Sequence, residues 1–240
     1  MTTTVVSQRE VRLSCTGYEL REMFSVATRW LEKNASAIND LNVFPVPDGD
    51  TGINMLQTMQ SATIEAARQT DDIASDTAQA MARGALMGAR GNSGVILSQI
   101  LRGFAEGLGC STTFGPQELA QALDRASALA YQAVSRPEEG TMLTVIKDVA
   151  AAVKDSVIEN DLELVSLMEV AVQEAKRAVK RTPELLDVLK EAGVVDVGGA
   201  GHLCPARRYA ALPAGRGGKH RVAGDRISGG SAIGPCRSHR

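Results

Sequence analysis

The sequence predicts an all-α domain, and three observations carry this prediction. Apolar residues recur at three- and four-residue steps in eight segments, which is the period of an amphipathic helix. No run of alternating β-branched residues stands between turns, so strand signals are scarce. A chain of 240 residues with 44% hydrophobic and 22% charged side chains is long and apolar enough to bury a core.

The predicted helices follow one another with short connections. They cover residues 17–38, 54–69, 72–87, 93–108, 116–134, 143–157, 162–179 and 183–192. Gly115 followed by Pro116 opens the fifth helix, and Thr182 before Pro183 predicts an N-cap with proline at the first position of the eighth. Periodicity leaves open whether these helices close as a barrel or pack as a layered bundle.

Composition excludes several kinds of site. All three histidines, His202, His220 and His239, lie in the last 39 residues. If that end is not part of the active fold, a Ser-His-Asp triad, a Cys-His pair and a His-ligated zinc site are excluded. The aromatic content of 3% argues against a surface that stacks nucleic-acid bases.

The cysteines and the apolar segments predict a cytoplasmic protein. The four cysteines form no CxxC pair, which is typical of a reduced compartment. No stretch approaches the ~20 apolar residues of a membrane span, and the N-terminus lacks the apolar core of a signal peptide.

The C-terminal residues differ in composition from the rest of the chain. Residues 205–240 carry eight Lys or Arg, one acid (Asp225) and seven glycines. We expect residues 202–240 to be a disordered extension or a segment in an altered reading frame. The alternative, nucleic-acid binding by this basic tail, lacks the interleaved aromatic residues that would support it.

The segment NVFPVPDGDTGIN, residues 42–54, is the most informative loop. Prolines hold its approach extended, and Gly49 and Gly52 permit backbone geometries that other residues resist. Asp48 and Asp50 would repel each other unless a cation lay between them, and their hard oxygen ligands favour Mg²⁺. The alternative is a turn in which Asp50 merely caps the next helix. A calcium loop is excluded because no Glu stands at its twelfth position.

Three further glycine-bearing loops stand at helix junctions. Residues 86–94 suit a close approach of backbone to phosphate, or else contain a helix C-cap followed by an Asn or Ser N-cap. Residues 136–143 look like a surface turn with Thr141 as an N-cap, and residues 193–201 like a flexible glycine segment. If the four loops gather at one end, they form a nucleotide site without histidine.

Four motifs in these loops resemble a known family. NVFPVPDGDTGINM, MGARGNSGVILSQILRG, PEEGTMLTVIKDVA and TPELLDVLKEAGVVDVGGAG are similar to the N-terminal kinase domain of bacterial fatty acid kinase, a homologue of the nucleotide-binding L domain of dihydroxyacetone kinases. The resemblance runs in order from about residue 18 to 201. It implies an eight-helix antiparallel barrel that binds ATP and two Mg²⁺ ions at one end. The domains are then an extension over residues 1–16, the ATP-binding domain over 17–201 and the tail over 202–240.

The resemblance also implies roles for individual residues. Asp48 and Asp50 match the family's metal-binding aspartates, and Asn42 stands where the dihydroxyacetone kinase form has a third aspartate. Arg90 is a candidate to meet phosphate or transition-state charge, with a surface salt bridge as the equal alternative. The residues that match the nucleotide-contacting segments are Thr51, Gly52 and Asn54 beside the phosphates, Asn92, Ser93 and Gly94 at a helix start, Gly140, Thr141 and Met142 beside adenine, and Asp196 near the ribose.

The function implied is transfer of the γ-phosphoryl group of ATP to a fatty acid carboxylate held by a separate, DegV-like lipid-binding protein, which gives an acyl phosphate. Family kinases commonly pair, which implies a homodimer. Family members also continue past Gly201 into an apolar, helix-forming segment and further domains, a pattern that residues 202–240 do not follow. Two alternatives stay open: a dihydroxyacetone-type kinase subunit, and a nucleotide-binding regulator or fragment without catalysis.

Overall fold

Eight helices make up the fold in the computed structural model, which describes residues 14–159, 163–196 and Gly198. They are α1 (Gly17–Asp40), α2 (Thr51–Ala67), α3 (Ala74–Gly88), α4 (Gly91–Leu108), α5 (Pro116–Gln132), α6 (Met142–Glu159), α7 (Leu164–Leu185) and α8 (Asp187–Ala192). Within the described ranges, extended pairing is limited to one antiparallel bridge between Cys15 and Phe114. The all-α prediction is confirmed; the predicted tail lies outside the described residues.

The helix starts show where local sequence decides the structure. Thr16 caps α1 in a capping box with Glu19, whose carboxylate accepts from the Thr16 backbone N–H at 3.0 Å. Pro116 occupies the first turn of α5 as predicted, and Glu118 accepts from the Gly115 N–H at 2.8 Å. These signals are local, so the sequence alone reveals them.

The predicted start at Pro183 is wrong, because α7 continues through this proline to Leu185. Proline has no N–H to donate to the Val179 carbonyl one turn earlier. The Thr182 hydroxyl donates to that carbonyl instead, at 2.7 Å, and it accepts from the Asp196 N–H at 2.9 Å. Thr182 is therefore a buried internal partner and not an N-cap.

Consecutive helices pack against each other, and the contact between α4 and α5 is the most extensive. A Cβ added at Gly103 would stand 2.5 Å from the Ala126 Cα, and one added at Gly107 would stand 2.5 Å from the Ala122 Cα. Two glycines one turn apart on α4 thus face two alanines one turn apart on α5, and the backbones come within reach of each other.

An apolar cavity of about 190 Å³ lies among six of the helices. Its lining includes one or more side chains from each of α1, α2, α4, α5, α6 and α7, for example Leu20, Met55, Leu101, Leu119, Val145 and Ala171. A closed antiparallel barrel would need such an interior, although the barrel itself stays a prediction. Among the described helices, none combines the length and the apolar character needed to cross a bilayer.

Candidate functional site

A cleft of about 460 Å³ opens where α2, α4 and α6 begin. Its volume is typical of small-molecule sites. Two segments contribute much of the lining, and we call them the aspartate wall (residues 42–51) and the glutamate wall (residues 133–142). The start of α4 and the segment after α8 complete it, so all four glycine-bearing loops contribute, as the sequence predicts.

Most of the predicted site residues lie together in this cleft. The lining contains Asn42, Asp48, Asp50, Thr51, Asn92, Ser93, Thr141, Met142 and Asp196. They come from segments that are far apart in the sequence, which is why their convergence is informative. Their roles toward a ligand stay predictions.

Four predicted residues, Gly52, Asn54, Gly94 and Gly140, stand behind the lining. Gly52 is helical, and a side chain there would collide with the Ala35 carbonyl, so it serves close packing instead of an unusual backbone angle. Asn54 is buried beneath Gly91. Gly140 has a φ of 82°, and a Cβ there would stand 2.8 Å from the Leu186 Cβ. These residues shape the cleft without forming its surface.

The arginine that lines the cleft is not the one that the sequence predicts. Arg90 is exposed at the N-cap position of α4, donates to the Ala89 carbonyl at 2.9 Å, and is not part of the lining. Arg136 supplies the cationic side chain of the described lining. Arg136 is not among the predicted site residues, because its loop has the sequence of a surface turn. Its position directly before Pro137 at a helix junction was the available signal.

The aspartate wall is organised around Asn42, which is 7% exposed. Its Nδ2 donates to the Val46 carbonyl at 3.2 Å and to Asp48 Oδ1 at 2.7 Å. Gly49 follows with a φ of 65°, a left-handed conformation that favours glycine. Asn42 thus orients Asp48 and leaves the second carboxylate oxygen of Asp48 outside this pair of bonds.

Asp50 occupies the N-cap position of α2, but its side chain makes no capping hydrogen bond. The oxygen that caps α2 belongs to Asn39 of α1, whose Oδ1 accepts from the Gly52 N–H at 2.7 Å and from the Ile53 N–H at 3.3 Å. The alternative in which Asp50 merely caps this helix is therefore wrong. Asp50 is one of the residues that line the cleft.

The start of α4 offers backbone donors to the cleft. The helix begins at Gly91, which has a φ of 56°, and Arg90 is its N-cap residue. Asn92 and Ser93 lie in the first turn, so the alternative in which one of them is the N-cap is wrong. The N–H groups of a first turn have no partner within the helix, and the helix dipole adds positive potential there. This end of the cleft suits an anion.

The glutamate wall is tied to α6 by a chain of hydrogen bonds. The Gly140 N–H donates to Thr144 Oγ1 at 2.8 Å, and that hydroxyl donates to Glu139 Oε2 at 2.6 Å. Lys147 and Tyr131 donate to Glu139 Oε1 at 2.7 and 3.0 Å. Burial alone would raise the pKa of Glu139, but the hydrogen bonds from Lys147, Thr144 and Tyr131 outweigh it and hold this pKa below its ordinary value.

Thr141 lies at the end of the glutamate wall, directly before α6. Its Oγ1 accepts from the Leu143 N–H at 3.3 Å and donates to the Glu138 carbonyl at 2.8 Å, directly before α6 starts. This is the N-cap geometry that the sequence predicts. Asp196, which also lines the cleft, is 8% exposed, and its backbone N–H donates to Thr182 Oγ1.

The donor set on the aspartate wall fits a magnesium ion. Among the described residues, no three His, Cys, Asp or Glu side chains cluster as a complete metal site. Asp48, Asp50 and Asn42 line the same cleft instead, and Asn42 is hydrogen-bonded to Asp48. Mg²⁺ is typically held by one or two carboxylates, with water and phosphate oxygens as its remaining ligands.

Comparison with known proteins agrees with this architecture. The DAK2 domain family matches residues 45–207 of the chain. The chain is 47% identical over 189 residues to protein YloV of Bacillus subtilis, which covers 78% of this chain and 34% of YloV. It is 45% identical over 174 residues to an uncharacterized protein of Staphylococcus haemolyticus, covering 72% of this chain and 31% of that protein. The chain thus spans about a third of the length of these relatives.

A solved structure shares the fold. The crystal structure of the dihydroxyacetone kinase of C. freundii superimposes with a TM-score of 0.55 and 18% identity, covering 88% of this chain and 38% of that one. At this identity the likeness concerns the helical fold, and it supports the all-α architecture independently of the motifs.

Proposed function

Because the chain belongs to the DAK2 domain family, we propose that it binds ATP with Mg²⁺ in the cleft and acts as the phosphoryl-donor domain of a kinase. The observation that carries this proposal is the meeting of the Asp48 and Asp50 wall with the first turn of α4 in one cleft. Paired carboxylates suit a cation, and an exposed helix N-terminus suits an anion. A metal-bound triphosphate supplies both.

The proposed binding mode divides the nucleotide among the segments. Asn92 and Ser93 bind phosphate oxygens through the first turn of α4. Thr141 and Met142 border adenine, and Asp196 lies toward the ribose. Asp48 and Asp50, with Asn42, would hold magnesium, which neutralises the charge of the transferring phosphoryl group.

Phosphoryl transfer of this kind needs positioning and charge neutralisation more than a proton shuttle. A cleft lined by carboxylates, amides, hydroxyls and backbone N–H groups meets that need. The acceptor that we propose is a fatty acid carboxylate presented by a separate lipid-binding protein. Its support is the NVFPVPDGDTG segment, in which Asn42 stands at a position that distinguishes the fatty acid kinase branch.

Calorimetric titration of the chain with Mg-ATP tests the donor half of this proposal. The double variant Asp48→Asn with Asp50→Asn is expected to weaken affinity at least about 100-fold, since each lost carboxylate removes a charge-assisted contact. Asp155→Asn, an exposed aspartate on α6, is the matched control and should bind like the wild type. Equal affinity in all three proteins would refute the assignment of the metal site.

Radiolabelled ATP then tests the acceptor. The chain is incubated with a fatty acid on its binding protein, and separately with dihydroxyacetone on a dihydroxyacetone-binding subunit. Label on the fatty acid supports the proposal, and label on dihydroxyacetone assigns the chain to the other kinase class. Nucleotide binding with label on neither acceptor would favour a regulator without catalysis.

A further inference from the structure

We propose that Asn39 is a positioning residue that caps α2 from the neighbouring helix and thereby keeps the Asp50 carboxylate available to a cation. This inference rests on the proposed function only for the identity of the bound group. Its structural half, the division of work between Asn39 and Asp50, concerns the protein without any ligand.

The N-terminus of α2 needs a cap. The first N–H groups of a helix need an acceptor from outside the helix, and aspartate at the N-cap position is among the best acceptors known. Asp50 holds that position in α2. In the ordinary arrangement its own carboxylate would accept from the N–H groups two and three residues on, and one oxygen would be committed there.

Asn39 already caps α2. Its Oδ1 accepts from the Gly52 N–H at 2.7 Å and from the Ile53 N–H at 3.3 Å. These are the donors that an Asp50 cap would use. Asn39 is neutral and half-buried on the last turn of α1, and it does not line the cleft. The N-terminus of α2 is thus capped by an amide, and Asp50, which lines the cleft, makes no capping bond.

Asn39 also holds the segment that leads from α1 into the aspartate wall. Its backbone carbonyl accepts from the Asn42 N–H at 3.0 Å, and Asn42 in turn orients Asp48. Gly52 of α2 packs closely on the Ala35 carbonyl of α1, and this contact fixes the two helices against each other. Asn39 is therefore placed to position both aspartates while contacting neither the proposed ion nor the nucleotide.

A double-mutant cycle on thermal unfolding, without metal or nucleotide, tests the division of work. In the wild-type background, Asp50→Ala should leave Tm unchanged or slightly higher, because Asp50 makes no capping bond. In the Asn39→Ala background, Asp50 is expected to become the cap, and Asp50→Ala should then lower Tm by at least about 2 °C more than it does in the wild type. A fall of that size for Asp50→Ala alone would overturn the proposal, and so would the absence of coupling in the cycle.

The dependence of nucleotide binding on magnesium tests the consequence. Asn39→Ala should raise the Mg²⁺ concentration for half-maximal ATP binding about tenfold, an effect of the size of one lost cap interaction. Asn34→Ala is the matched control, since Asn34 is an α1 amide that bonds to the Trp30 carbonyl at 2.7 Å, away from the cleft. Asn39→Asp keeps an acceptor oxygen and should retain the wild-type dependence within about threefold.

The outcomes separate the two proposals. If the wild type binds no Mg-ATP, the proposed function fails, while the metal-free cycle still decides whether Asn39 relieves Asp50 of capping. If the wild type binds Mg-ATP and Asn39→Ala requires no more Mg²⁺ than Asn34→Ala, the positioning role of Asn39 is refuted and the proposed function stands.

Discussion

The aspartate wall and the glutamate wall use their carboxylates differently. One carboxylate oxygen of Asp48 accepts a hydrogen bond from Asn42, and Asp50 makes no capping bond although it stands at a helix start. Glu139 belongs to the glutamate wall but is not part of the cleft lining, and it accepts from Tyr131, Lys147 and Thr144. A carboxylate at a helix junction is thus a candidate ligand only where its neighbours leave its oxygens unused. We expect the first wall to govern binding and the second to govern stability.

The largest effect should come from Gly140 on the glutamate wall. Gly140→Ala forces a side chain into a φ of 82° and against the Leu186 Cβ, and we expect a loss of about 3 kcal/mol in the free energy of unfolding by urea titration. Gly109→Ala is the control: its φ is 61° but nothing lies within 4 Å of an added Cβ, so it should lose only about 1 kcal/mol. Equal losses of stability in the two variants would show that the contact of Gly140 with α7 and its C-cap does not stabilise this wall.

An intermediate effect is expected at Arg136, which lies on the glutamate wall but also lines the cleft, so it should affect binding. Arg136→Ala should weaken Mg-ATP binding about tenfold, and less so at high salt, since a cation beside a polyanion is screened. Arg90→Ala, outside the lining, should change affinity less than about twofold. The reverse order, measured by calorimetry at two salt concentrations, would return the role to Arg90 as the motif predicts.

The smallest effect concerns pH. The pKa of Glu139 lies below its ordinary value of 4.5 in the folded protein, so the stability it contributes is complete above that value and is lost as pH falls through the lowered folded-state pKa. The wild type should therefore be more stable than Glu139→Gln at pH 7, and the difference in Tm should narrow below about pH 4.5. A difference in Tm between the wild type and Glu139→Gln that stays constant with pH would contradict the hydrogen-bond chain.

Local signals made most of the fold predictable. Helical periodicity located the helices, and the Gly115–Pro116 start was correct because every group involved lies within one turn. Pro183 misled the prediction because its missing donor is replaced through Thr182, which also holds Asp196, a partner 14 residues further along the chain. A tertiary hydrogen bond of this kind cannot be predicted from a local stretch of sequence.

The site was predictable as a set of loops but not as a surface. Motifs identified the aspartates and the α4 start, yet they could not say which residues of each loop face inward. Gly52 serves close packing, and Asn39 provides the cap that Asp50 seemed placed to give. Arg136 enters the lining only because its loop meets the others. Each of these facts depends on how distant segments meet.

The spread of the cleft lining along the chain has a consequence for how the protein is made. Among the described residues the lining runs from Asn42 to Gly198, which follows α8, so a chain emerging from the ribosome lacks part of the cleft until all eight helices have been synthesised. A nucleotide that binds only the finished cleft cannot assist the early helices to fold, and it stabilises the protein only afterwards, by mass action. Truncated nascent chains should therefore gain no protection from ATP against proteolysis.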